Sequence, residues 1–189
     1  MNQKKVISSQ YLKNFDLILN TMANKMLTAK ITKNITIDFI RCMIPHHQAA
    51  IDMCNNLLNY TKNQDLISIC NSIISMQTKG IQEMSYIEQT TPYFQNQMED
   101  VKNYLNTYLN ITLNMIEQMG RSLTSSNIDL DFISEMIPHH EGAIKMCENL
   151  LKYEIDPRLE IVAKNIIFEQ QNGINNLKKV ESSIIQKED

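Results

Sequence analysis

Tryptophan is absent from the 189 residues, glycine and proline occur only four times each, and no apolar run approaches the roughly 20 residues that a bilayer-spanning helix requires. So few turn formers, with no stretch of the period-two alternation that marks a half-buried strand, point to an all-α chain without a membrane span. Lys and Arg total 18 against 21 acidic residues, and no basic stripe of five or more occurs, so the electrostatic footprint of a DNA or RNA binder is missing. The start, MNQKKVISSQYLKNFD, has no long apolar segment after its lysines. As it stands the sequence carries no export signal and is expected in the cytoplasm; a secreted or periplasmic chain with its leader removed would read the same way. Cysteine is also too sparse for a disulfide framework. Cys42 and Cys54 lie twelve positions apart on one expected helix, about 18 Å of rise, and cannot bridge each other. With Cys70 and Cys147 they read as reduced thiols.

What the chain does have is twelve methionines and a 43% apolar fraction, enough to bury a core. It also has an internal repeat at a shift of 93 residues. IDFIRCMIPHHQAAIDMCNNLLNY, residues 37–60, matches LDFISEMIPHHEGAIKMCENLLKY, residues 130–153, at 16 of 24 positions. Fainter matches set Met22 and Met26 opposite Met115 and Met119, and Gln77, Gly80 and Ile81 opposite Gln170, Gly173 and Ile174. The chain divides into repeats at 1–92 and 93–189, with Pro92 after Thr90 and Thr91 as the hinge. Each repeat reads as three helices. The first helix carries Phe15, Ile18, Leu19, Met22 and Met26 on one face, copied as Val101, Tyr104, Leu105, Tyr108, Met115 and Met119. The third carries Leu66, Ile69, Ile73, Ile74, Ile81 and Met84, copied as Leu159, Val162, Ile166, Ile167, Ile174 and Leu177, with Asp156 and Pro157 as cap and first-turn residue of the copy. Pairing the second and third helices of both repeats gives a four-helix bundle with the first helices alongside.

The middle helix carries the chemistry. On a helical wheel Arg41, Gln48, Asp52, Asn55, Asn56 and Asn59 form a polar side. Phe39, Met43, Ala50 and Leu57 form the buried side, with His46 and Met53 on one edge and His47 and Cys54 on the other. Met136, His139, His140, Met146 and Cys147 repeat that register. Imidazole nitrogen with thioether sulfur is a ligand set biased toward copper: thioether suits Cu(I), and imidazole accepts either oxidation state. The expected ligands to Cu(I), Cu(II) or both are Met43, His46, His47 and Met53, with Met136, His139, His140 and Met146. Met22, Met26, Met115, Met119, Cys54 and Cys147 form a secondary set, while Cys42 and Cys70, opposite Glu135 and Ala163, read as packing. Between the repeats the polar side changes (Arg41 to Ser134, Asp52 to Lys145, Asn59 to Lys152) while every His and Met of the cluster is kept. Pro45 and Pro138 either kink the helix just before the histidine pair, freeing the carbonyls of Arg41 and Ser134, or sit in a first turn.

At these residues the sequence resembles the domain-of-unknown-function 305 family, whose helical domains carry Met-x-x-His-His-x-x-Ala-Ile-x-Met and are grouped with ferritin-like four-helix folds. The resemblance covers most of both repeats, with Ala50-Ile51 and Ala143-Ile144 in place, although both copies have Cys after the final Met where small residues are commoner. It implies copper binding or tolerance, usually in secreted or periplasmic proteins, and carries over to Met43, His46, His47, Met53 and their copies. Three functions follow. The first is a non-catalytic protein that buffers or carries copper, exchanging it with a donor or acceptor protein and free to oligomerise; the cluster offers ligands but no substrate machinery. The second is a ferritin-like di-metal oxidase, which needs inward Glu and Glu-x-x-His; Glu135 stands four before His139, but its counterpart is Cys42. The third is a structural bundle that holds no metal.

Overall fold

The computed structural model describes residues 3–92, 94–121 and 127–188, with side chains from residue 8 to 186; the chain ends and residue 93, at the expected repeat boundary, lie outside the described residues. Six helices account for nearly all of it: α1 (Gln3–Leu27), α2 (Ile35–Leu58), α3 (Gln64–Thr90), α4 (Met98–Gly120), α5 (Ile128–Leu150) and α6 (Pro157–Glu188). No strand occurs among the described residues, and no helix there is long and apolar enough to cross a membrane.

Asparagine begins three of the six. Asn34 Oδ1 accepts the Ile37 amide at 3.2 Å, Asn63 Oδ1 the Asp65 amide at 3.0 Å, and Asn127 Oδ1 the Asp129 amide at 3.1 Å. Each satisfies a donor that the first helical turn would otherwise leave open. Before α6, Asp156 Oδ1 accepts the Arg158 amide at 2.9 Å and Pro157 supplies the fixed φ of a first residue, as the sequence pattern predicts.

Within each repeat the middle helix packs against both of its neighbours. Across the repeats α1 meets α4, α2 meets α5 and α3 meets α6. The molecule is therefore two facing three-helix layers. The helices α2, α3, α6 and α5 close the expected four-helix ring, and α1 and α4 flank it while also touching each other. A pseudo-twofold relation holds in detail. Tyr11 meets Tyr60 edge to face at 6.1 Å and Tyr104 meets Tyr153 at 5.8 Å. Asn56 Nδ2 donates to the Tyr11 carbonyl at 3.0 Å and Asn149 Nδ2 to that of Tyr104 at 3.1 Å.

This packing corrects two sequence readings. Asn56, placed on the polar side of the wheel, is buried, because α1 covers that flank of α2 and gives its amide two partners, the Tyr11 carbonyl and Asn14. The histidines, expected at the edges of the buried face, lie fully inside it. A central helix sandwiched by α1, α3 and α5 has little free edge.

Candidate metal centre at the crossing of the repeats

Both prolines lie inside unbroken helices, Pro45 in α2 and Pro138 in α5, which settles the alternative left open by the sequence. Proline has no amide hydrogen to donate and its ring crowds the preceding turn, so each helix is weakened one residue before its histidine pair. There the two repeats meet. His46 and His139 stack face to face, ring centroids 3.7 Å apart and planes 30° from parallel, and His139 Nε2 lies 3.1 Å from the His46 carbonyl oxygen. A carbonyl only accepts, so Nε2 of His139 bears the proton and Nδ1 presents its lone pair. A ring nitrogen donating to a backbone carbonyl while the other stays bare is the arrangement of a metal-ligating histidine.

His47 and His140 flank the stack, their centroids 6.2 and 6.0 Å from their chain neighbours. All four rings are buried, with exposures of 0–2%. Burial, reinforced by the neighbouring rings, forces His46 and His140 well below the ordinary imidazole range and brings His47 down to about 3; burial alone brings His139 down to about 4. The imidazoles are therefore neutral at physiological pH, as a metal ligand must be. Both ring nitrogens of His46 and Nδ1 of His47, His139 and His140 are buried without a hydrogen-bond partner. An orphaned buried polar atom costs about 1–3 kcal/mol, so these nitrogens lower the stability of the bundle unless a partner satisfies them.

Two glycines make room for the outer rings. A Cβ at Gly80 of α3 would stand 2.9 Å from His47 Cδ2, and one at Gly173 of α6 would stand 2.6 Å from both Cδ2 and Nε2 of His140. The sequence shows these glycines only as a faint match; their use follows from the α2–α3 and α5–α6 packing. Gly173→Ala is expected to displace the His140 ring, with a loss of about 1–3 kcal/mol in thermal or urea unfolding. The milder clash at Gly80 should make Gly80→Ala the less damaging of the pair.

Every sulfur proposed from sequence is buried: Met43, Met53, Met136 and Met146, Met22, Met26, Met115 and Met119, and Cys54 and Cys147. The Met115 side chain of α4 lies against Gly142, one turn beyond His139 on α5. Among the described residues no three His, Cys, Asp or Glu side chains converge on one point. The histidine rings by themselves therefore do not assemble a three-ligand set.

The carboxylate that the sequence offered, Glu135, is used otherwise. It is buried on α5 and accepts a hydrogen bond from Tyr11 Oη of α1 at 2.6 Å, across the repeats. Burial, helped by Asp131 and only partly offset by the tyrosine, pushes Glu135 up to about 8. The pseudosymmetric position holds Cys42 facing Tyr104 and Tyr108, pushed up to about 11 by its own burial.

Proteins of known structure share this helical fold. CopM in a silver-bound form superposes with a TM-score of 0.58 at 26% identity, over 80% of this chain and 98% of that one. CopM in a Cu(II)-bound form gives 0.57 at 26% identity over 78% and 96%. A fragment from Deinococcus radiodurans shares the fold, with a TM-score of 0.54 at 19% identity over 80% and 96%. Among curated sequences, the uncharacterized protein L153 of Acanthamoeba polyphaga mimivirus is 38% identical over 52 residues, 28% of this chain, and the match spans about a third of that relative (34%). A family model described as Domain of unknown function (DUF305) matches residues 9–88 and again 95–181. Matched across both repeats, the chain belongs to the DUF305 family.

Proposed function

We propose that this chain binds copper in order to buffer it, carry it or confer tolerance to it, and that it does so at the crossing of α2 and α5. The observation that carries the reading is the set of four neutral, buried imidazoles, five of whose ring nitrogens lack partners, in a core rich in methionine. The nitrogen donors are His46, His47, His139 and His140. Met43, Met53, Met136 and Met146 are the sulfur donors, with Met115, packed against Gly142 of α5, drawn from the secondary set. Thioether sulfur favours the softer Cu(I), while the imidazoles retain the ion if it is oxidised. The silver-bound and Cu(II)-bound forms of CopM, at 26% identity, support a site that takes soft and borderline ions alike. A carrier hands on its ion, so a donor or acceptor protein belongs to the proposal, and the closed ring of α2, α3, α6 and α5 supports a ferritin-like grouping.

The test is an oxygen-free titration of reduced apo-protein with Cu(I) against a competing chelator. Wild type is compared with His46→Ala/His47→Ala and with His139→Ala/His140→Ala. Submicromolar affinity lost in both variants supports the reading; wild-type affinity retained in both overturns it.

A further inference from the structure

The seam between α2 and α3 holds a second group of donors that the imidazole site does not use. Arg41 Nε meets Glu88 Oε1 at 2.8 Å and the His47 ring lies against Gly80. These two contacts fix the register of the antiparallel helices. Seven residues on from His47, two turns or about 10 Å along the axis, that register brings Cys54 beside Cys70 across the same seam, and the neighbouring thiol, ahead of burial, raises Cys54 above the ordinary thiol range. Both are completely buried free thiols. In the second repeat the contact of His140 with Gly173 sets an equivalent register for α5 and α6, but the residue that corresponds to Cys70 is Ala163. Ala163 is as completely buried as Cys70. Packing at this place therefore does not require sulfur, yet the first repeat has two neighbouring sulfurs there.

We propose that Cys54 and Cys70 form a soft-metal site, distinct from the imidazoles and confined to the first repeat, that takes a monovalent d10 ion, Cu(I) or Ag(I), between two thiolates. Two opposed sulfurs are the whole donor set of a linear two-coordinate ion, and thiolate is a softer ligand than thioether. A cysteine binds a metal as the thiolate, so the ion must displace the protons: Cu(I) plus two thiols gives a bis-thiolate complex of net charge −1 and releases two protons. No electron changes hands. The sulfurs are already neighbours and need only part by the width of the ion. The site extends the copper reading to a second donor type but rests on different residues, so each can fail alone.

The test titrates the full reduced chain with Ag(I), and in parallel with chelator-delivered Cu(I), without oxygen. It follows the thiolate-to-metal charge-transfer absorption and counts free thiols after denaturation. Wild type is expected to take up one equivalent with this band. Cys70→Ala, which gives the first repeat the residue of the second, should lose that equivalent and keep the histidine-dependent one. Ala163→Cys, which gives the second repeat the residue of the first, should gain one, a readout that survives if Cys70→Ala folds poorly. The same band in Cys70→Ala as in wild type, or recovery of Cys54 and Cys70 as a disulfide after the metal is added, overturns the proposal. A wild-type band without histidine-dependent binding would uphold the dithiol site and refute the imidazole site.

Discussion

Thermal stability of the metal-free protein should fall by about 10 °C between about pH 7 and pH 5.5, with unfolding at ordinary temperature close to pH 4.5. The cause is the four buried imidazoles. In the unfolded chain each takes up a proton near its ordinary value of about 6.5, whereas in the fold His47 and His139 resist until about 3 and about 4 and the other two lie well below the ordinary range. Above about pH 6.5 neither state is protonated and the rings contribute nothing to the pH dependence. Below it the unfolded state gains protons that the native state cannot, and stability is lost at about 1.4 kcal/mol per pH unit per ring. Four rings give about 5 kcal/mol by pH 5.5 and about 11 by pH 4.5.

Glu135 opposes this. Its folded value of about 8 lies above the unfolded one, so its contribution is full at low pH and is lost as pH rises toward 8. Acidification from pH 7 recovers about 2 kcal/mol by pH 5.5 and about 3 by pH 4.5. The net loss is then about 3 kcal/mol at pH 5.5 and about 8 at pH 4.5, against total stabilities of about 5–15 kcal/mol. Melting curves followed by far-UV circular dichroism check this, and Glu135→Gln, which removes the opposing term, should steepen the fall. A melting temperature that stays flat from pH 7 to pH 5 would mean that the rings are not dry.

The second large effect separates binding from stability. His46→Leu together with His139→Leu should weaken Cu(I) binding by more than about 100-fold, yet leave the melting temperature at pH 7 unchanged or higher. The stack contributes only one ring hydrogen bond, from His139 Nε2, and leaves three ring nitrogens without a partner, so apolar side chains of similar bulk relieve more desolvation than they forfeit in bonding. The acid sensitivity should shrink by more than half, since two of the four rings are gone while Glu135 still opposes the rest: the net loss at pH 4.5 falls from about 8 to about 3 kcal/mol. A chelator-competition titration and a pair of melts decide it. A variant that loses both copper and folding would show that the rings hold the bundle together in their own right.

The fold could be read from the sequence where periodicity and repetition spoke together. The duplicated block at 37–60 and 130–153 predicted two equivalent central helices, and the apolar faces of the flanking segments predicted their neighbours. The His–Met cluster was readable for the same reason, because residue types with metal chemistry recur in one register. What a helical wheel cannot show is how many sides of a helix are covered. Hence the misplacement of Asn56 and of the histidines, whose depth depends on α1, α3 and α5 arriving together. The stack of His46 on His139 was equally out of reach, since it joins residues 93 apart in sequence through a relation between the repeats that no local spacing encodes. The same holds for Gly80, Gly173 and the Tyr11–Glu135 pair. Their repetition, or in the last case its failure, was the one hint, and only packing shows their use.

One ring of the central pair comes from each half of the polypeptide, so neither half on its own could assemble the stack. Parted from its partner, a half would turn its imidazole toward water, where the ring would regain its usual basicity. In a chain carrying both copies, the encounter of the two halves is intramolecular, and the pairing of the rings no longer depends on how dilute the protein is.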